Sequence, residues 1–119
     1  MKQPIYDIEN MEKREDELLF SVKLMAEHPI FKGHFPDHPI LPGIISIYMV
    51  KDCFSQYHHV DYTFFHIIQC KFIKIIDPTL HSKLNISVKN ALSNDNKIEL
   101  SGKIFNKIET FVTLKILIV

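Results

Sequence analysis

The chain has 119 residues, 46% of them hydrophobic and nine of them Phe, enough apolar mass for one packed domain and too much for a disordered chain. Fourteen basic residues balance fourteen acidic ones, so no basic excess marks a nucleic-acid binder and no acidic tail is present. A net charge near zero favours the pairing of apolar faces with a second subunit.

Residues 1–16 read as a polar lead-in, ending in Glu12-Lys13-Arg14-Glu15-Asp16. From Leu18 to Met25, Phe20, Val22 and Leu24 alternate with Ser21 and Lys23, the pattern of a half-buried strand. Residues 26–42 form a loop rich in Pro and His. Pro42-Gly43 then starts a helix that runs to about Tyr57. Its first turns (Ile44, Ile45, Ile47, Tyr48, Met49, Val50) are apolar nearly all round, and Lys51, Asp52, Ser55 and Gln56 follow. That order predicts a helix that begins inside the protein and ends at its surface. A buried strand over Ile40–Val50 is the rival reading on β-propensity, and the Pro-Gly start signal decides against it.

His58 to Tyr62 is a connection. The rest reads as β-structure. A long strand covers Phe64 to Ile76 and breaks at Asp77-Pro78. Lys83 to Ala91 alternates cleanly, Ser93-Asn94-Asp95-Asn96 is a turn, and Ile98 to Phe105 is a strand. Asn106-Lys107 is a two-residue hairpin, and Ile108 to Val119 is the last strand. Four strands in hairpin succession follow one apolar helix. The expected fold is α+β, a single domain over 1–119 with an antiparallel sheet wrapped around one central helix. Cys53 and Cys70 lack metal or redox spacing, so free thiols in a reducing cytoplasm are expected. No signal peptide is visible, and the apolar span Pro39–Val50 is too short to cross a bilayer.

The loop carries the chemistry. His34-Phe35-Pro36-Asp37-His38-Pro39-Ile40-Leu41-Pro42-Gly43 sets two imidazoles on a rigid segment directly before a helix start. The first amides of that helix lack intrahelical partners. A neutral imidazole beside free amides suits a ligand with a carbonyl oxygen and an acidic neighbouring proton. Other histidines read more simply. His28 shapes the loop, His58-His59 is a poor metal pair, and His66 is a satisfied core histidine. Cys53 and Cys70 read as small core fillers.

The run Gly33-His34-Phe35-Pro36 with Pro39-Ile40-Leu41-Pro42-Gly43 resembles the signature of the 3-hydroxyacyl-[acyl-carrier-protein] dehydratases of hot-dog fold. Cys70-Lys71-Phe72-Ile73-Lys74 with Asp77-Pro78 is similar to that family's long strand and following turn. The resemblance implies that His34 removes the α-proton of a thioester and that the Gly43 amide binds its carbonyl. It implies a dimer with each site shared between subunits, an acyl tunnel along the interface, and a substrate delivered on the phosphopantetheine of an acyl carrier protein. It implies no metal and no redox cofactor. Phe35, Pro42, Ile44 and Ile47 are then the expected substrate-binding residues.

The sequence departs from the signature where the family carries a helix Glu or Asp, because Tyr48 stands there. A phenol keeps its proton at neutral pH and donates a hydrogen bond, so Tyr48 is the expected partial replacement, with slower turnover. The equal alternative for Tyr48 is a core aromatic. Asp52 shares a helix face with Tyr48 but sits among polar residues. The expected activity is removal of water from 3-hydroxyacyl thioesters in fatty-acid, polyketide or aryl-polyene biosynthesis. The alternatives are a non-catalytic carrier-binding subunit that pairs with an active dehydratase and, last, an acyl thioesterase.

Overall fold

The computed structural model describes residues 4–33 and 37–119. They form six strands and two helices: β1 (Tyr6–Arg14), β2 (Glu17–Leu24), α1 (Ile30–Gly33), α2 (Gly43–His58), β3 (Phe65–Phe72), β4 (Lys83–Leu92), β5 (Ile98–Phe105) and β6 (Thr110–Ile118). All pairs are antiparallel, and the sheet order is β1-β2-β4-β5-β6-β3.

Period-2 alternation drives one face of this sheet inward. Leu18, Phe20, Val22 and Leu24 of β2 are buried, as are Leu84, Ile86 and Val88 of β4. Leu100 and Ile104 of β5 and Leu114, Ile116 and Ile118 of β6 continue the layer. The long helix α2 buries Ile47, Met49, Val50, Cys53 and Phe54 in the same core. It packs over β4 and β5. A Cβ added at Gly102 would lie 2.6 Å from Val50 Cγ1, so the missing side chain sets how near the helix lies to the sheet. The helix ends with His59 in the left-handed region at φ 55°, where its amide donates to Gln56 O and the Val60 amide donates to Ser55 O. That is a Schellman closure built on a residue other than glycine.

Four sequence expectations are corrected. The polar lead-in is not a tail: Tyr6–Arg14 pair with β2 as an edge strand, because backbone bonding to a hydrophobic neighbour outweighs weak intrinsic propensity. The strand expected over Phe64 to Ile76 stops at Phe72, where Ile73 and Lys74 turn their amides to Phe111 O. The hairpin at Asn106 is wider than two residues. The Asn106 amide donates to Glu109 O, and Asn106 Oδ1 accepts from the Ile108 and Glu109 amides. Finally, β3 does not join β4. It pairs with β6 at the far edge of the sheet.

Helix α2 also differs from its expected polarity. Ile44 and Tyr48 are 49% and 43% exposed near its start, whereas Lys51 and Ser55 further on are buried. These four residues lie on one stripe of the helix, so burial along that stripe rises from its start toward its end, the reverse of the expected order.

Candidate active site at the start of the long helix

The Pro42-Gly43 junction is built by three local devices. Pro42 has φ −59° and ψ 137°, an extended residue that ends the loop and presents its carbonyl to the Ile45 and Ser46 amides. No side-chain cap is present, and Ser46 Oγ donates to Gly43 O at 2.6 Å inside the first turn. The Leu41 amide donates to Ile76 O at 2.9 Å, which ties the loop to the segment after β3. The amides of Gly43 and Ile44 therefore stand at the positive end of the helix, with no acceptor inside it.

Beside this start lies a groove of about 370 Å³, bounded by Ile40, Leu41, Gly43 and Ser46 on one side and by Phe72, Ile73, Ile75 and Val112 on the other. Its walls are mainly apolar, with Lys74 at its edge. The Phe72 ring rests on Gly43: a Cβ there would come within 2.8 Å of the ring tip. A side chain at this position would therefore have to displace the exposed Phe72 ring, and the backbone angles at Gly43 place no demand on glycine. The Lys74 ammonium is held by Glu109 at 2.6 Å, and Glu109 also faces His81 Nε2 at 3.7 Å. Asp77 Oδ1 accepts from the Thr79 hydroxyl and amide, and the Thr79 hydroxyl bond holds that carboxyl below the usual range. The Asp77-Pro78 turn is thus closed by an Asx motif.

His34 and Phe35, with Pro36, lie outside the described residues. Pro42 and Gly43 stand at the helix start as expected. Ile44 is on the uncovered face of α2, and Ile47 is buried in the core rather than in the groove. Tyr48 is not a core aromatic. It shares the uncovered face with Ile44, one turn apart, and its ring meets the Phe65 ring edge-on at 5.5 Å. The groove at Gly43 does not include Tyr48.

His66 is exposed and is not a core histidine, and Cys70 is half-buried, packed against the edge of the core. Cys53 is fully buried, as expected of a core filler. His28 does shape the loop, accepting the Ile30 amide on Nδ1 at 3.0 Å. Among the described residues no cluster of His, Cys, Asp or Glu has the makings of a metal site, and no helix is long and apolar enough to cross a membrane.

Sequence reasoning missed two groups of residues. Ile73 and Ile75 were taken for strand interior, yet they line the groove because the chain leaves the sheet at Phe72. Lys51 was taken for solvent-facing, but it is 7% exposed. Its ammonium reaches Asp52 Oδ1 at 2.8 Å and lies 5.8 Å from the centre of the Tyr48 ring. No periodicity distinguishes a lysine that folds back along its helix from one that points outward.

An antiparallel sheet curled around one long helix whose start opens on an apolar groove is the hot-dog architecture. A dehydratase heterocomplex, ApeI:P from Xenorhabdus doucetiae, contains a chain of this fold, with TM-score 0.68 at 20% identity over 93% of this chain and 95% of that one. A thioesterase from Staphylococcus aureus shares the fold at TM-score 0.57 and 12% identity, over 94% of this chain and 89% of that one. The chain belongs to the ApeI-like family, described as ApeI dehydratase, whose profile matches residues 10–109. Curated relatives share a shorter stretch. A 3-hydroxyacyl-[acyl-carrier-protein] dehydratase FabZ of Streptococcus suis is 40% identical over 35 residues, 29% of this chain and 25% of the relative. The FabZ of Thermotoga neapolitana is 38% identical over 37 residues, 31% of this chain and 27% of the relative. The matched stretch thus spans about a quarter of those curated relatives.

Proposed function

We propose that this chain dehydrates 3-hydroxyacyl thioesters carried by acyl carrier protein, working as a dimer with itself or with a related hot-dog subunit. The observation that carries the reading is the helix start: a glycine amide with no intrahelical acceptor, placed at an apolar groove directly after the Gly33–Gly43 signature. The thioester carbonyl oxygen lies against the amides of Gly43 and Ile44, where negative charge that develops on it is stabilised. Phe35 and Pro42 border the acyl group, and Ile44 lies along its path. Ile47 supports the helix from behind.

The reaction is a β-elimination. The His34 imidazole, in its neutral form, takes the α-proton. The C–O bond breaks, and the hydroxyl leaves with the Tyr48 proton as water. Imidazolium and phenolate remain, and a proton returned through solvent from one to the other restores both. No metal or redox cofactor takes part, and phosphopantetheine arrives with the substrate. A cytoplasmic setting goes with this substrate.

Tyr48 stands apart from the groove on an uncovered face of α2, which favours a site completed by a second subunit. His34 of one subunit then serves the face that carries Tyr48 of the other. The chain in the ApeI:P heterocomplex makes a related subunit a natural second half. A second reading follows from the same fact: without a helix carboxylate the chain holds the acyl carrier while the other subunit supplies the acid.

The test is hydration of 2-enoyl thioesters and dehydration of 3-hydroxyacyl thioesters, over several chain lengths, by the chain alone and mixed with a co-encoded hot-dog subunit. His34→Ala should lower kcat/KM by roughly 10²–10⁴-fold. Activity only in the mixture, unaffected by His34→Ala, would move the chemistry to the other subunit. No activity in either setting would sink the dehydratase reading.

A further inference from the structure

We propose that Lys51 is a positioning residue for this reaction, its buried ammonium stabilising the phenolate that forms when Tyr48 gives up its proton. The inference rests on the dehydratase reading above and adds a cation beside the residue that replaces the helix acid.

A lysine stem usually carries its ammonium to water, and an uncompensated buried ammonium is costly. The Lys51 side chain, in the middle of α2, is only 9% exposed, with its ammonium paired inside the fold. Two groups receive the charge: the Asp52 carboxylate at 2.8 Å and the Tyr48 ring, whose centre lies 5.8 Å away. The second contact is within cation–π range and comes from the spacing, since Tyr48 and Lys51 share a helix face.

The pair with Asp52 does not cancel the field at Tyr48. The Asp52 side chain is 41% exposed, so water screens the carboxylate more than it screens the enclosed ammonium. The remaining acids beside Asp52 are the Tyr6 phenol and the Cys53 thiol. Burial holds both in the neutral, protonated form, so they add no negative charge. The Tyr48 ring also meets Phe65, which is apolar. A phenolate formed at Tyr48 therefore has one enclosed cation close to it. The proton balance of the elimination is unchanged: Lys51 neither gives nor takes a proton.

The experiment is a kinetic cycle on the active assembly, with kcat and KM measured separately for wild type, Lys51→Met, Lys51→Arg, Asp52→Asn, Tyr48→Phe and Tyr48→Phe/Lys51→Met. Lys51→Met should lower kcat about tenfold and leave KM in place. That is less than the 10²–10³ of a donor that touches the reacting oxygen, because the charge acts at a distance. Lys51→Arg should restore most of the rate, and Asp52→Asn should be at least as fast as wild type. In the Tyr48→Phe background, Lys51→Met should cost nothing further.

Equal losses in both backgrounds, or a loss in Asp52→Asn that matches Lys51→Met, would mean a purely structural pair and overturn the inference. If Lys51→Met does not fold, Lys51→Gln in the same cycle decides by the same criteria. Full activity in Tyr48→Phe would overturn the inference while leaving the dehydratase reading with His34 intact. An inert wild-type assembly would remove both.

Discussion

Tyr6, at the first position of β1, and Cys53, on the buried face of α2, form a hydrogen-bonded pair of weak acids inside the protein. Burial pushes the Cys53 thiol up to about 12, and the Asp52 carboxylate adds to the effect. Burial raises the Tyr6 phenol as well, with Cys53 and Asp52 contributing. Both folded-state values exceed the ordinary 9.0 and 10.0. Between pH 9 and 12 the unfolded chain therefore holds fewer protons than the native one, and stability must fall as pH rises. The slope is at most about 1.4 kcal/mol per pH unit for each group. Urea unfolding at a series of pH values should show this loss, and Tyr6→Phe should make it shallower. An unchanged slope in Tyr6→Phe would place the alkaline sensitivity elsewhere. The same burial makes Cys53 a poor nucleophile, in keeping with a structural thiol.

At the scale of elements, the contact between α2 and the sheet depends on one missing methyl. Gly102 faces Val50, and an added Cβ would also come within 3.4 Å of Leu114. Val50 is fully buried and β-branched, so it has little freedom to move aside. Gly102→Ala should destabilise the fold by about 1–3 kcal/mol through overpacking, read as a lower urea midpoint with an unchanged m-value. Gly102→Ala with Val50→Ala should recover part of that loss, and no recovery would place the strain elsewhere. Such contacts also explain what the sequence could and could not reveal. Helix α2, β4, β5 and β6 were legible because their periodicity or start signals are local. Strand β1 was hidden, since Glu12-Lys13-Arg14 carries no alternation and is recruited by its neighbour's backbone. The pairing of β3 with β6 was hidden too, because nothing local states which edge a strand joins. Within the site, the helix start was legible from Pro42-Gly43. The burial of Lys51 and the rest of Phe72 on Gly43 were not, because both are tertiary contacts.

At the scale of the whole molecule, the two free edges of the sheet differ in kind. Strand β1 presents Glu9, Glu12, Lys13 and Arg14, with a register shift between Ile8 and Asn10, the usual protection of an edge against pairing. Strand β3 also has a register shift, between Ile67 and Gln69, and one exposed lysine, Lys71, but half of its exposed side chains are large and apolar. Phe64, Ile67, Ile68 and Phe72 are exposed along it, and Ile44 and Tyr48 of α2 extend the apolar area. On the proposed reading this edge is where the second subunit binds. Ile68→Lys should lower the mass seen by light scattering toward that of one subunit while leaving the far-UV spectrum intact. An assembly that survives the substitution would place the interface on another face. The position of β6 has a further consequence, for synthesis rather than for the finished protein. It leaves the ribosome after β3, β4 and β5, yet it lies between β5 and β3. Until it emerges, the apolar β3 has no partner in its own chain, and the nascent polypeptide depends on chaperones, or on a waiting sister subunit, to keep that segment from sticking to others.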